Sequence, residues 1–157
     1  MKSNYLLPYR FKTIGWFIFI IGLVLGFISL FIVKEPNFLD CKVFALSEIE
    51  FLGKQKFFEF VENNIFDEII SVFIIVGAIF VAFSKEKQED EYISKIRLES
   101  LLWATYINYF ILLFTIVFFY GGTFFWVMIF NMFTILFVFL IRFKWALWKF
   151  KNSQNEK

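Results

Sequence analysis

Histidine is absent from this sequence, and cysteine occurs once, at Cys41. No disulfide can form within the chain, and a zinc site would have to combine one thiolate with several carboxylates. Without histidine, the commonest general acid–base group and the Ser-His and Cys-His nucleophile pairs are also excluded. We therefore expect a protein that is not an enzyme and that has no metal site and no cofactor.

Charged side chains are scarce as well, at 19% of residues, whereas soluble domains have about 25%. Hydrophobic residues make up 60% of the chain, and the mean hydropathy is +0.70. A soluble domain of 157 residues has too little interior to bury that much apolar surface, so we place the chain in a membrane. The net charge of +2 is too small to predict nucleic-acid binding.

Uncharged runs occupy 14–33, 69–84 and 101–141. A helix of about 20 residues spans the hydrocarbon core, so the first run predicts one span, and the second predicts another when it is extended at its start. The third run is about twice too long for one span, and Gly121-Gly122-Thr123 is the natural point for it to turn back. We predict an all-α integral membrane protein, a single membrane domain with four transmembrane helices at about 14–33, 65–84, 101–120 and 124–141.

The segment 34–64 joins the first two predicted spans and is predicted to contain a helix. Ser47-Glu48-Ile49-Glu50 has the pattern of a capping box, and Leu46 and Phe51 stand at the two positions of a hydrophobic staple. The helix that follows would gather its apolar side chains on one side, at Ile49, Leu52, Phe57, Phe60 and Val61. This helix either lies on the bilayer surface or packs against its own neighbours in the chain, and both interpretations stay open.

Four spans place both termini and the connector 85–100 on one side of the membrane. All 16 basic residues lie on that side except Lys34, Lys42, Lys54 and Lys56, so the positive-inside rule predicts that both termini are cytoplasmic. The tryptophans fall near predicted helix ends, as an aromatic belt at the membrane interface requires: Trp16, Trp103, Trp126, Trp145 and Trp148. We expect a protein of the cell membrane, the inner membrane of a bacterium.

The connector 85–100 is densely charged and contains neither glycine nor proline, which predicts a helix that runs into the third span. Such a helix is either a docking surface for a protein partner or a solvated segment that keeps a short loop soluble. The docking candidates are Glu91, Lys95, Arg97 and Glu99. The tail 142–157 interleaves basic and aromatic side chains, which is typical of stop-transfer flanks that contact membrane lipids.

Small residues recur along the first span, at Gly15, Gly22, Gly26 and Ser29. Small side chains let helix backbones approach closely in lipid, so we predict a helix-packing face here. Its partner is either another helix of the same chain or a second copy of the chain in a homo-oligomer.

Polar side chains form a stripe on each of the last two spans: Thr105, Asn108 and Thr115 on the third, and Asn131 and Thr134 on the fourth. Buried amides need partners within a bilayer, so one interpretation is hydrogen bonding between these two helices. The other is the wall of a polar pathway through an oligomer. No charged residue lies inside a predicted span beyond its first turn, which argues against ion-coupled transport.

The run EDEYISKIRLESLLW at 89–103, continuing into Tyr106-Ile107-Asn108-Tyr109, is similar to that of small uncharacterised four-span bacterial membrane proteins. The resemblance covers roughly the C-terminal half of the chain. It implies the four-span topology, and it implies neither an activity nor a role for any residue.

Two functions fit these patterns. The first is a non-enzymatic accessory or regulatory membrane protein that binds a protein partner through the segment 34–64 or the connector. The second is a pore or channel formed by several copies, with Asn108 and Asn131 near its lumen. Leu112, Phe119 and Val138 interrupt the polar stripes, which favours the first function.

Overall fold

The computed structural model describes residues 6–31, 39–49, 55–87 and 89–155. The elements, in chain order, are α1 (Tyr9–Phe31), β1 (Asp40–Ile49), β2 (Gln55–Asn64), α2 (Phe66–Phe83), α3 (Glu91–Phe118) and α4 (Gly122–Asn155). These four helices are long and apolar enough to cross a membrane. The predicted fold class, an all-α membrane protein with four transmembrane helices, is confirmed in its four long apolar helices, and a small hairpin completes the mostly helical fold.

The helices pack in two pairs, α1 with α2 and α3 with α4, and contacts between α2 and α4 join the pairs. One end of the bundle, the connector end, holds the start of α1, the end of α2, the start of α3 and the end of α4. The other end, the hairpin end, carries β1 and β2 between α1 and α2, and the turn between α3 and α4. This arrangement places the polar segments of the chain at the two opposite ends of the bundle.

Side chains near the connector end form much of the buried core. Val81, near the end of α2, is buried together with Phe139 and Phe143 of α4. The Phe139 ring stacks on the Phe143 ring at a centroid distance of 5.6 Å and on the Phe83 ring at 6.1 Å. Towards the hairpin end, a groove of about 1110 Å³ opens between α1, α2 and α4.

The predicted helix within the segment 34–64 is wrong wherever this segment is described, because the chain forms an antiparallel β-hairpin. The pairing runs from Asp40 opposite Asn64 to Ile49 opposite Gln55. Ser47, the predicted N-cap, lies inside β1, and its capping-box partner Glu50 lies outside the described residues. Phe51 and Leu52 of that prediction lie outside them as well.

The physical reason for the hairpin is that cross-strand pairing outweighs a local capping pattern. Phe57, Phe60 and Val61 fit the spacing of a helix, but they also fit the two faces of a strand. In the hairpin, Phe60 lies opposite Phe44 and Lys42 lies opposite Glu62. Aromatic and opposite-charge pairs of this kind stabilise a strand pair. Because the described part of this segment forms no helix, neither interpretation applies, whether a helix on the bilayer surface or a helix packed against its neighbours.

The ends of the helices are set by short polar side chains and by glycine. The Asp90 carboxylate accepts the N–H of Ile93 at 2.8 Å, so α3 begins at Glu91. The prediction of a helix over the whole connector 85–100 is therefore wrong before that residue, for 85–87 and 89–90. Gly121 has φ = +66°, a conformation that glycine adopts readily, which confirms the predicted turn between the last two spans.

The fourth helix continues past the predicted end of its span. α4 runs from Gly122 to Asn155, so the tail that was predicted to follow residue 141 is a helical extension of this span. A helix of this length is about 50 Å long, which exceeds the thickness of the hydrocarbon core. Its last turns therefore extend into the interface at the connector end.

Candidate functional site

The hairpin has an exposed aromatic face, defined by Phe44, Leu46, Phe58 and Phe60. The exposed fractions of these side chains are 53%, 66%, 68% and 72%. The Phe44 ring centroid lies 5.5 Å from that of Phe60 and 6.4 Å from that of Phe58, so the three rings form one cluster. Contiguous apolar patches on a surface mark sites of interaction, and the aromatic face is therefore the candidate functional site.

The strand register builds this face. Side chains along a strand alternate between the two faces of a sheet, and cross-strand partners share a face, so Phe44 and Phe60 lie side by side. Phe58 has φ = +56°, a left-handed conformation that costs a bulky residue roughly 1–2 kcal/mol. Strain of this kind clusters at binding and switch sites, where the surrounding structure holds it in place.

Carboxylates outnumber amines on the hairpin and at the start of α2. Among the described side chains of 39–68, the acidic ones are Asp40, Glu59, Glu62, Asp67 and Glu68, and the basic one is Lys42. Two of the carboxylates fasten the base of the hairpin. Asp40 accepts a hydrogen bond from the Asn64 amide at 2.7 Å, and Glu68 accepts one from Asn63 at 2.8 Å. The hairpin therefore combines an apolar face with net negative charge, which suits a surface that is apolar and basic.

The small residues of α1 lie against α2 of the same chain. A Cβ atom at Gly15 would come 2.6 Å from the Cβ of Phe80, and one at Gly22 would come 3.0 Å from the backbone nitrogen of Ile74. A Cβ at Gly26 would meet its nearest atom at 3.3 Å, so the helices separate slightly towards the hairpin end. Gly15 and Gly22 therefore sit where α1 and α2 approach more closely than they do at Gly26.

Ser29 and Asp67 continue the contact between α1 and α2 to the hairpin end. The Ser29 hydroxyl donates to the Asp67 carboxylate at 3.2 Å. Ser29 thus reaches α2 by a hydrogen bond, whereas the glycines before it do so by close backbone approach.

Gly77 of α2 is a packing residue that the sequence patterns did not identify. A Cβ atom there would lie 2.5 Å from the backbone nitrogen of Phe19 and 2.7 Å from its Cα atom. Neither backbone atom can move aside as a flexible side chain would. A local signal is nevertheless present, because Ala78 and Ala82 form a small-xxx-small step beside Gly77.

The threonines of the two polar stripes bond within their own helices. The hydroxyls of Thr105, Thr115 and Thr134 donate to the carbonyl four residues earlier, at 2.9, 2.8 and 3.2 Å. The Oδ1 atoms of Asn108 and Asn131 are buried and have no hydrogen-bond partner among the residues that the structure describes. For these two amides, hydrogen bonding between helices and a position near a lumen both stay predictions.

Arg97, one of the four docking candidates, is buried, with 8% of the residue exposed. Its guanidinium pairs with Glu89 at 2.7 Å, donates to the Ser84 carbonyl at 3.3 Å and lies 5.1 Å from the centre of the Phe143 ring. The group therefore joins the connector to α2 and α4, and a partner does not reach it at the surface. The other docking candidates are exposed: Glu91, Lys95 and Glu99.

The sequence patterns also did not identify a second buried ion pair at the connector end. Lys12 of α1 pairs with Glu86 of the connector, and the two side chains are 11% and 10% exposed. Next to this pair, the backbone of Leu7 hydrogen-bonds to Phe83 and Lys85, both at 2.9 Å. These partners are far apart in sequence, so no local pattern indicates the pairing.

No family model, no curated protein and no solved structure matches this chain. The resemblance of the C-terminal half to small four-span bacterial membrane proteins stays a prediction.

Proposed function

We propose that this four-span membrane protein is a non-enzymatic accessory subunit that binds another protein through the aromatic face of its hairpin. The observation that supports this is the exposure of Phe44, Leu46, Phe58 and Phe60 on one side of the strand pair. Free strand edges need hydrogen bonds that lipid cannot supply, so the hairpin belongs outside the hydrocarbon core. In water, neighbouring apolar side chains of this size favour association with a surface that covers them.

The partner we propose is a protein surface that combines apolar area with basic side chains. The acidic residues of the hairpin favour such a surface and disfavour a bilayer of anionic lipids. Charge attraction of this kind is screened by salt over about 10 Å at 0.1 M ionic strength. Binding should therefore weaken as the salt concentration rises.

In this proposal both termini are cytoplasmic and the hairpin faces the outside of a bacterial inner membrane, as the positive-inside rule predicts. Glu91, Lys95 and Glu99 would then offer a second docking surface in the cytoplasm. Cys41, the single cysteine, is exposed on β1 and provides a test. A membrane-impermeant thiol reagent should label Cys41 from outside the inner membrane. Labelling only after permeabilisation would reverse the orientation.

Site-specific photo-crosslinking tests the partner. A photoreactive amino acid replaces Leu46 on the aromatic face or, as the control, Phe57, which is also exposed but alternates to the other face of β2. In the cells that produce the protein, irradiation should give a discrete adduct with a second protein from position 46 and none from position 57. The yield from position 46 should fall with added salt in isolated membranes.

Three outcomes would contradict the proposal. Equal adducts from positions 46 and 57 would mean unspecific contact. Adducts with lipid alone would place the aromatic face on the membrane surface. An adduct with the mass of two copies would make the face an interface of a homo-oligomer.

A pore formed by several copies is the second candidate, favoured by the buried and unpartnered Oδ1 atoms of Asn108 and Asn131. Buried oxygens without partners are costly in lipid, and a change of helix packing on assembly that opened them to water in a lumen would satisfy them. Purified protein in liposomes loaded with an ion-sensitive dye tests this function. Flux that Asn108→Leu abolishes while the fold stays intact would support the pore, and the absence of flux favours the accessory subunit.

A further inference from the structure

A polar cavity of about 640 Å³ lies at the connector end, between α1, the connector and α4. Its charged lining comes from Lys12, Glu86, Lys87, Asp90, Lys144 and Lys151. Trp16 and Tyr9 form part of its aromatic wall. The cavity is thus a recess with amines on several sides, set at the level of the bundle where tryptophans are typical of a membrane interface.

The carboxylates of this cavity are already engaged. Glu86 pairs with Lys12, and Asp90 accepts the N–H of Ile93 at the start of α3. Neither Lys144 nor Lys151 forms an ion pair with any of the residues that the structure describes. The cavity therefore holds more positive charge than its own carboxylates balance.

Lys144 is the amine that most needs an anion. It is partly buried, and its ammonium lies 5.1 Å from the centre of the Trp16 ring. The ammonium of Lys12 repels it, and Glu86, which attracts it, is already paired with Lys12. An ammonium removed from water beside another ammonium is costly unless an anion compensates for it.

We propose that this cavity binds a phosphate-bearing anion, the chemistry that phospholipid headgroups and free phosphate esters share. Phosphate oxygens accept hydrogen bonds from several ammonium groups at once, and basic pockets between helices at a membrane interface bind anionic headgroups. Trp16 lines the pocket one turn further along α1 than Lys12, so the acyl chain of a bound lipid would run past its ring towards the hydrocarbon core. The inference is independent of the aromatic face, which lies at the opposite end of the bundle.

Native mass spectrometry of the whole protein in a neutral detergent tests the proposal. The chain is titrated with phosphatidylglycerol or, as the comparison, phosphatidylcholine. We expect saturable binding of a single phosphatidylglycerol per chain in preference to phosphatidylcholine. Lys144→Gln should weaken this binding about fivefold, and Lys144→Arg, which keeps the charge, should hold it within about twofold.

Lys149→Gln is the matched control, because it removes the same charge from an exposed position of the same helix that does not line the cavity. It should change the affinity by less than about twofold, since a distant surface charge is largely screened. Where Lys144→Gln lowers the unfolding temperature, Lys151→Gln takes its place, because that exposed side chain lines the same cavity.

Inorganic phosphate distinguishes the two sources of the anion. Displacement of the bound lipid by millimolar phosphate would assign the cavity to free phosphate esters, and resistance to it would assign the cavity to a lipid headgroup. Equal affinity for the two lipids would overturn the proposal. So would equal losses in Lys144→Gln and Lys149→Gln, because they would show unspecific attraction to negative charge.

Discussion

The two ends of the bundle are built in different ways. At the connector end, the buried pairs Lys12–Glu86 and Arg97–Glu89 and the packed ring of Phe139 join all four helices. At the hairpin end, aromatic side chains are exposed and an apolar groove separates α4 from α1 and α2. The contrast indicates that the connector end holds the bundle together, whereas the hairpin end leaves apolar surface for other molecules to cover.

This difference has a physical basis in the two environments. Charged groups at an interface can be buried when each finds a partner, and the loss of one partner is then strongly destabilising. Apolar rings outside the hydrocarbon core are exposed to water, which is unfavourable, and contact with another surface would remove that exposed area. Substitution of the buried residues at the connector end should therefore change stability, whereas substitution on the aromatic face should change binding.

The largest expected effect is that of Gly77→Leu, which forces α1 away from α2. A side chain at this position would overlap the backbone of Phe19, so we expect a loss of about 3 kcal/mol or more in the free energy of unfolding. Chemical unfolding in detergent measures it. Gly122→Ala is the control, because a Cβ atom there meets nothing within 4 Å. Equal stability of the two variants would contradict the described contact between α1 and α2.

Arg97→Met should have the next largest effect, because the Glu89 carboxylate would keep only its hydrogen bond from the Glu86 N–H and the Ser84 carbonyl would lose the guanidinium. We expect a loss of about 2–3 kcal/mol, near the lower end for breaking a buried pair, since Glu89 keeps some contact with water. Lys95→Met removes one positive charge from an exposed position of the same helix and should cost under about 0.5 kcal/mol. A similar loss of unfolding free energy in both variants would contradict the conclusion that the buried pair of Arg97 and Glu89 stabilises the connector end.

The four spans were predictable because each carries its own signal. Lipid demands an uninterrupted apolar helix of fixed length, and the runs 14–33, 69–84 and 101–141 meet that demand without reference to the rest of the chain. The turn was also predictable from a local signal, since Gly121 adopts a positive φ that most residues avoid. Local sequence therefore determines how many times this chain crosses the membrane.

The hairpin and the buried pairs were not predictable from local patterns. Ser47 and Glu50 fit a capping box, but the pairing of Phe44 with Phe60 across the hairpin outweighs that signal. Arg97 resembles any other charge of the connector in sequence, and only the fold reveals that Glu89 and the end of α2 enclose it. Both errors concern contacts between segments that the sequence does not show to be neighbours.

Asn108→Leu and Asn131→Leu should have a smaller effect, and the sign of the change in stability tests whether these amides bond between helices. Because each buried Oδ1 atom lacks a partner among the described residues, an apolar side chain of similar size should leave stability unchanged or raise it by up to about 1 kcal/mol. Asn to Leu at residues that bond between helices would instead lower stability by about 0.6–2 kcal/mol. Unfolding and the oligomer distribution in mild detergent measure both. A loss of oligomers would show that these amides meet a second copy.

The smallest effect on the bundle is expected from the double variant Phe44→Ser/Phe60→Ser. Both rings are exposed and pair with each other across the hairpin, so their loss should cost only the roughly 0.2–1 kcal/mol of one cross-strand pair and leave the packing of the four helices intact. The same variant should abolish the crosslink from position 46, because it removes most of the apolar area that a partner would cover. Phe139→Ser, at a buried position of the connector end, should instead cost about 3 kcal/mol or more. If the double variant unfolded as easily as Phe139→Ser, the aromatic face would be part of the bundle's own core, and no free surface for a partner would exist there.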